Sequence, residues 1–269
     1  MMTWRIGAST GCCSNRPVIE VLDALHAARI SGVEVGTPPG HFDPWRQAEV
    51  HALRERLRLH EMVPVSIHAP FGGLLDLSDP NRHHRQAAVG AILTAAAALK
   101  DLGGHRVVVH TSDVPRDGQN VTQRLQAIRE SLHVLAGACQ RMDVVLTVES
   151  PLPHLIGGCA DEFAWILSDL PSAVAVCLDT GHTTLGHQWP RFLEVSGPRL
   201  SHIHANDHHG RFDDHLPPGD GLLDWSALGR DLQRVNFEGW IILELRCPDH
   251  RSLEDHFARA HQQLVSRLP

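Results

Sequence analysis

Lysine is nearly missing from this sequence. Lys100 is the only one, and it falls inside a run with helical periodicity. An aldolase that works through an imine needs a lysine at a strand end, so that chemistry is excluded. Tyrosine is absent altogether. No stretch approaches the roughly 20 apolar residues of a membrane span. MMTWRIGAST, at residues 1–10, has no apolar run ahead of a small-residue cleavage site. The six cysteines (Cys12, Cys13, Cys139, Cys159, Cys177 and Cys247) form no Cys-x-x-Cys pair and no short secreted framework. That pattern points to a reducing compartment. The expectation is a soluble cytoplasmic protein with no membrane partner. Positive charge is scarce too: a formal net charge of −7 disfavours nucleic acid or any partner gripped mainly by its phosphates. No Gly-x-Gly-x-x-Gly follows the first apolar run, which argues against a dinucleotide site.

What the sequence has in plenty is histidine, 21 in all. More than half, among them His26, His51, His60, His83, His84 and His133, read as scattered surface residues. At 269 residues the chain is slightly longer than the roughly 250 typical of one (β/α)8 barrel, and it can bury a large core unaided. Short apolar, β-branched runs alternate with longer amphipathic ones. Strands are predicted at 4–9, 32–36, 63–69, 106–111, 144–150, 174–180, 200–207 and 240–246. Helices are predicted near 17–29, 45–60, 82–101, 119–141, 160–169, 188–195, 224–233 and 252–267. Arg16-Pro17, Asp43-Pro44-Trp45, Asp79-Pro80 and Asp224-Trp225 mark helix starts. Eight strands alternating with eight helices predict an α/β protein, a single (β/α)8 barrel domain over residues 1–269. The longest loop, 208–223, is rich in Gly, Pro, His and Asp.

Barrels carry their active sites at the C-terminal ends of the strands, and here those ends are ionisable. Strand three ends in His68, strand four in His110 and strand five in Glu149. Strand six supplies Asp179 with His182 three residues on, strand seven His204, and strand eight Glu244 with Arg246 beyond it. The loop after strand seven adds Asp213 and His215. A buried polar group without a partner costs about 1–3 kcal/mol by mutational estimates, and six successive strands run that risk at one end. A divalent cation would offset both desolvation and mutual repulsion. Taken singly, His68 and His110 read equally well as hydrogen-bonded core histidines, and Asp213 and His215 as a solvated loop. His202 reads as core, and Cys12-Cys13 as small thiols packed at the barrel rim. Glu149 and Glu244 are harder to dismiss, since an unpaired glutamate is rarely buried. Imidazole and carboxylate without thiolate suit Zn, Mn, Fe or Co better than Ca.

The segments SIHAPF, VVVHTSD, LTVES, CLDTGH, HIHANDHHGRFDDHLPPGDGLLDW and IILELR resemble the xylose isomerase-like superfamily of sugar isomerases, epimerases and endonuclease IV. The likeness covers nearly the whole chain. In the epimerase and inosose-dehydratase branch, four positions bind one divalent metal; the matching residues are Glu149, Asp179, His204 and Glu244, and the two glutamates are the acid/base pair. In the endonuclease IV branch nine ligands hold three zinc ions; the matches are those four with His68, His110, His182, Asp213 and His215. The resemblance therefore implies one to three ions, zinc or manganese. Against the nuclease, GTPPGHFDPW after strand two has almost no basic residues before Arg46. Against a one-metal epimerase, the Asp213-x-His215 pair would be superfluous.

The reading favoured by the sequence is a metal-dependent isomerase, epimerase or related lyase acting on a small carbohydrate. Glu149 and Glu244 would exchange a proton with the substrate, and His182 and Arg246 would contact its oxygens. The alternative is an endonuclease IV-like zinc phosphodiesterase acting on abasic DNA, its carboxylates serving mainly as ligands. A third reading is a non-catalytic barrel that keeps a structural metal or serves as a subunit of a larger assembly.

Overall fold

Eight parallel strands close on themselves in chain order: β1 (Arg5–Ser9), β2 (Gly32–Gly36), β3 (Val63–His68), β4 (Arg106–Val109), β5 (Val145–Glu149), β6 (Ala175–Asp179), β7 (Leu200–Ala205) and β8 (Trp240–Leu243). The computed structural model describes residues 4–116, 120–247 and 252–269. Pairing of Ile6 with Ile241 and Ala8 with Leu243 closes the ring. Around it lie α1 (Val18–Ala27), α2 (Gln47–Leu59), α3 (Arg82–Leu102), α4 (Val121–Arg141), α5 (Ala160–Leu167), α6 (Thr180–Leu185), α7 (Trp189–Ser196), α8 (Trp225–Arg234) and α9 (Leu253–Arg267). The predicted barrel is the observed one. Residue 119, the predicted start of the fourth helix, lies outside the described residues.

Both faces of each strand are covered, so the strands read as apolar runs rather than alternations; Val107, Val108 and Val109 are all buried. The helices seal the outer face with Leu22, Leu53, Leu99, Leu132, Phe163 and Phe257, each fully buried and each contributing about 1.5–3 kcal/mol. Of the four predicted start signals, Asp224-Trp225 carries a side-chain cap, and α3 and α9 begin on caps next to their predicted starts. Asn81 accepts from the His83 N–H, Asp224 from Ala227 and Ser252 from Asp255. One short helix, α6, has no counterpart in the prediction. Its start is fixed by Asp179, whose carboxylate accepts from the His182 N–H at 2.8 Å, and its six residues are too few to show a period.

The turn after β1 crosses directly over the end of β2. A Cβ on Gly36 would lie 2.2 Å from Gly11 Cα, so only glycine permits the crossing. It holds Cys12 at the rim, while Cys13 sinks into the core. At the opposite, N-terminal face of the barrel, Lys100 near the end of α3 bonds Asp143 at 3.2 Å. No described helix is long and apolar enough to cross a membrane.

Candidate metal centre and active-site cavity

Glu149 ends β5, Asp179 ends β6, His204 lies one residue before the end of β7, and Glu244 follows directly on β8. Register makes neighbours of them: Asp179 pairs with His204, and the Glu244 N–H donates to Ala205 O. Their ligand atoms all lie within 4.8 Å of one another, and all four residues are buried. His204 Nδ1 sits 3.1 Å from Glu149 Oε1 and 3.1 Å from Glu244 Oε2. His68 Nε2 and His110 Nε2 reach Glu149 Oε2 at 3.1 and 3.0 Å. The strand-end logic of the sequence therefore gathers Asp179, His204, Glu244, His68 and His110 around Glu149, and His182 Nδ1 lies 3.8 Å from it.

One acid escaped that logic. Glu34, in the middle of β2, is fully buried and points into the same barrel interior. Its Oε2 accepts from Ser66 Oγ at 2.7 Å and lies 3.1 Å from His202 Nε2, while Oε1 lies 3.1 Å from His204 Nε2. With one ring nitrogen turned to Glu34, His204 presents the other to the acid cluster, the arrangement by which outer carboxylates orient metal-binding histidines. His202, read from sequence as core, is core: burial pushes it down to about 4 against the pull of Glu34.

Four carboxylates, Glu34, Glu149, Asp179 and Glu244, are thus buried together. Among the described residues only histidines form ion pairs with them, no arginine or lysine. The imbalance is visible in Asp179. Burial pushes its carboxyl up to about 6, opposed by His182 and reinforced by Asp213 and Glu244. Burial would raise Glu149 too, but His110 and His204 reverse it and hold it well below the usual carboxylate range. A divalent cation fits this donor set in charge, burial and ligand type. Beneath it, burial pushes the Cys177 thiol up to about 12, which keeps it protonated and a poor ligand.

A second cluster adjoins the first. His182, Asp213 and His215 bring their ligand atoms within 4.8 Å of one another. Asp213 Oδ2 lies 3.2 Å from His182 Nε2 and 2.9 Å from His215 Nε2. The long loop after β7 is held for this purpose by Asp207, which is fully buried. Its carboxylate accepts from the Gly219, Leu223 and Trp225 Nε1 donors at 2.8, 3.1 and 2.9 Å, and its backbone pairs both ways with Leu216. So a loop rich in Gly, Pro and Asp presents Asp213 and His215 from a fixed frame.

A cavity of about 820 Å³ opens onto both clusters, with Glu149, Glu244, His68, His110, His182, Asp213 and His215 in its lining. Asp179 and His204 lie behind that lining. His182 faces the cavity with Nδ1 donating to Ser150 O and Nε2 against Asp213. Arg246 is exposed and does not line the cavity. Alternation from Glu244 had put it on the same face, but β8 stops at Leu243, and beyond a strand end the period of two no longer holds.

With this geometry, comparison with known proteins places the chain. A family model described as xylose isomerase-like TIM barrel matches residues 22–265, and the chain belongs to that family. An uncharacterised protein of Sinorhizobium fredii, y4fM, is 30% identical over 190 residues, covering 66% of this chain and 60% of that protein. A D-psicose 3-epimerase of Enterocloster bolteae is 25% identical over 147 residues, 53% of this chain and 47% of that enzyme. The chain therefore matches only about half to three-fifths of the length of these relatives. Among solved structures, the IOLI protein, crystallised with a zinc atom, superposes with a TM-score of 0.85 at 16% identity over 98% of both chains. That likeness is one of fold.

Proposed function

We propose that this protein is a divalent-metal-dependent isomerase or epimerase of a sugar or polyol, with Glu149 and Glu244 exchanging a proton with the substrate. The observation that carries the reading is the division within the acid cluster: Glu149 and Glu244 face the cavity, whereas Asp179 and His204 stand behind it. All four would hold the metal, and a bound divalent ion would polarise a substrate carbonyl and offset the charge developing there. The two glutamates supply what the metal cannot. One carboxylate removes the proton from the carbon next to the carbonyl, and the other returns one from its own side. Asp179 stays in place through bonds from Asn206 Nδ2 and the His182 N–H. Phe71, stacked on His110 at 3.9 Å, covers one face of that imidazole. Similarity to the D-psicose 3-epimerase of E. bolteae supports the reaction class by that enzyme's name.

Proton removal next to a carbonyl lets the proton exchange with solvent. Incubation of the metal-loaded protein in D2O with ketohexoses, ketopentoses and inososes is expected to place deuterium on carbon in at least one. Glu149→Gln and Glu244→Gln should each suppress labelling by roughly two orders of magnitude or more, with metal content measured on the same samples. Labelling that survives both substitutions would remove the glutamates from the chemistry.

The second cluster supports a rival reading, a multinuclear phosphodiesterase in which His182, Asp213 and His215 hold further ions. The cavity lining opposes it: among the described residues it contains no Arg or Lys to meet a phosphate backbone. Metal-dependent cleavage of an abasic-site duplex, with no sugar labelled, would reverse the ranking.

A further inference from the structure

The acid cluster occupies one end of the cavity only. The remainder is a wall built by three loops: Pro38, Pro39 and Trp45 between β2 and α2, Phe71 after β3, and Leu152 and Leu155 after β5. Trp45 is 55% exposed and Phe71 50% exposed, although each is a large apolar side chain beside a buried site. Phe71 joins the two regions, since the face of its ring lies on His110. At about 820 Å³ the cavity falls in the range that accepts drug-sized ligands, more than one sugar ring needs.

Polar side chains on this wall are few, and the carboxylates among them offer acceptor oxygens but no donor. Thr37 Oγ1 donates to His68 O, Asp43 Oδ1 accepts from the Trp45 N–H, and Asp113 Oδ2 accepts from the Gly73 N–H. A second sugar ring seated here would find little beyond the carboxylates of Asp43 and Asp113 for its several hydroxyls, and buried hydroxyls without partners are costly. An anionic group would meet Asp43 and Asp113, with no Arg or Lys among the described lining residues to balance it. What the wall offers is aromatic and aliphatic surface open to the cavity.

From this we infer the substrate class: an uncharged keto-sugar or keto-polyol bearing an apolar substituent the size of an aryl group. The ring to be epimerised faces Glu149 and Glu244, and the substituent rests between Trp45, Phe71 and the two leucines. The inference rests on the proton-exchange reading for its reactive end, but the wall can be tested without turnover.

Calorimetric titration of the protein, purified without chelator, would compare phenyl β-D-glucopyranoside with methyl β-D-glucopyranoside. Neither has a free carbonyl, so binding is read without reaction. The phenyl glycoside is expected to bind roughly tenfold tighter or better, the discrimination that burial of an aryl ring supplies. In the double variant Trp45→Ala with Phe71→Ala that ratio should fall below about threefold. Both side chains are half exposed, so the fold should survive, and thermal unfolding of the variant checks this. Equal affinities, a ratio unchanged in the double variant, or no binding of the phenyl glycoside overturns the inference. D2O labelling of the corresponding 3-keto glycosides is scored separately. Failure of both, and of the whole keto-sugar panel above, to label sinks the proton-exchange reading, while the binding ratio still judges the wall.

Discussion

Glu34 sits in GVEVG, a five-residue strand buried at every position, and it faces Ser66, His202 and His204, with no arginine or lysine paired to it among the described residues. Removing it would strand those donors in the barrel interior. Glu34→Ala is therefore expected to cost about 3–5 kcal/mol in denaturant unfolding. Glu34→Gln keeps the shape but weakens the orientation of His204, and should lower metal affinity roughly 10–100-fold. Chelator competition on the folded Gln variant measures this, and unchanged affinity would reduce Glu34 to a packing role. The rule that an acid in an apolar strand must have a reason picked out Glu149, Asp179 and Glu244, and it applied equally to Glu34. The strand is short and glycine-bounded, and its acid lies mid-strand rather than at the C-terminal end where catalytic groups are sought. Cavity residues such as Trp45 and Phe71 were not legible either, because loop side chains have no period to betray their direction.

At the scale of elements, the loop between β7 and α8 depends on one carboxylate. Asp207 satisfies two backbone N–H groups far along the loop and the indole N–H of Trp225, which begins α8. Asp207→Ala leaves those three without an acceptor. At about 1–3 kcal/mol for each unsatisfied buried group, a loss on the order of 3 kcal/mol is expected, allowing for rescue by water. Limited proteolysis should then cut within 208–223, and a loop that stays resistant would show that its other contacts suffice. Strands and most helices were readable from the sequence because a buried parallel strand and an amphipathic helix differ in both length and period. The short α6 was not, since what starts it is the side chain of Asp179, which sequence had assigned only to metal.

For the molecule as a whole, the buried acids make stability and ion content a single measurement. Protein stripped by chelator should unfold at lower temperature than metal-loaded protein. At an ion concentration of 100 times Kd the gain is about 2.7 kcal/mol, or roughly 5–10 °C for a domain of this size. Asp213→Ala with His215→Ala should lower the ions bound per chain and leave the one held by Glu149, Asp179, His204 and Glu244. Unchanged stoichiometry would return the pair to substrate contact or loop structure. The place of Lys100 bears on how such measurements are made. It is the only lysine in the sequence, and its amine sits beside Asp143 at the face of the barrel away from the cavity. Amine-directed coupling through this side chain tethers the protein by the face opposite the acid cluster. Where coupling runs through Lys100 the mouth of the barrel faces the solution, so ligand and metal titrations can be run on immobilised protein with the site unobstructed.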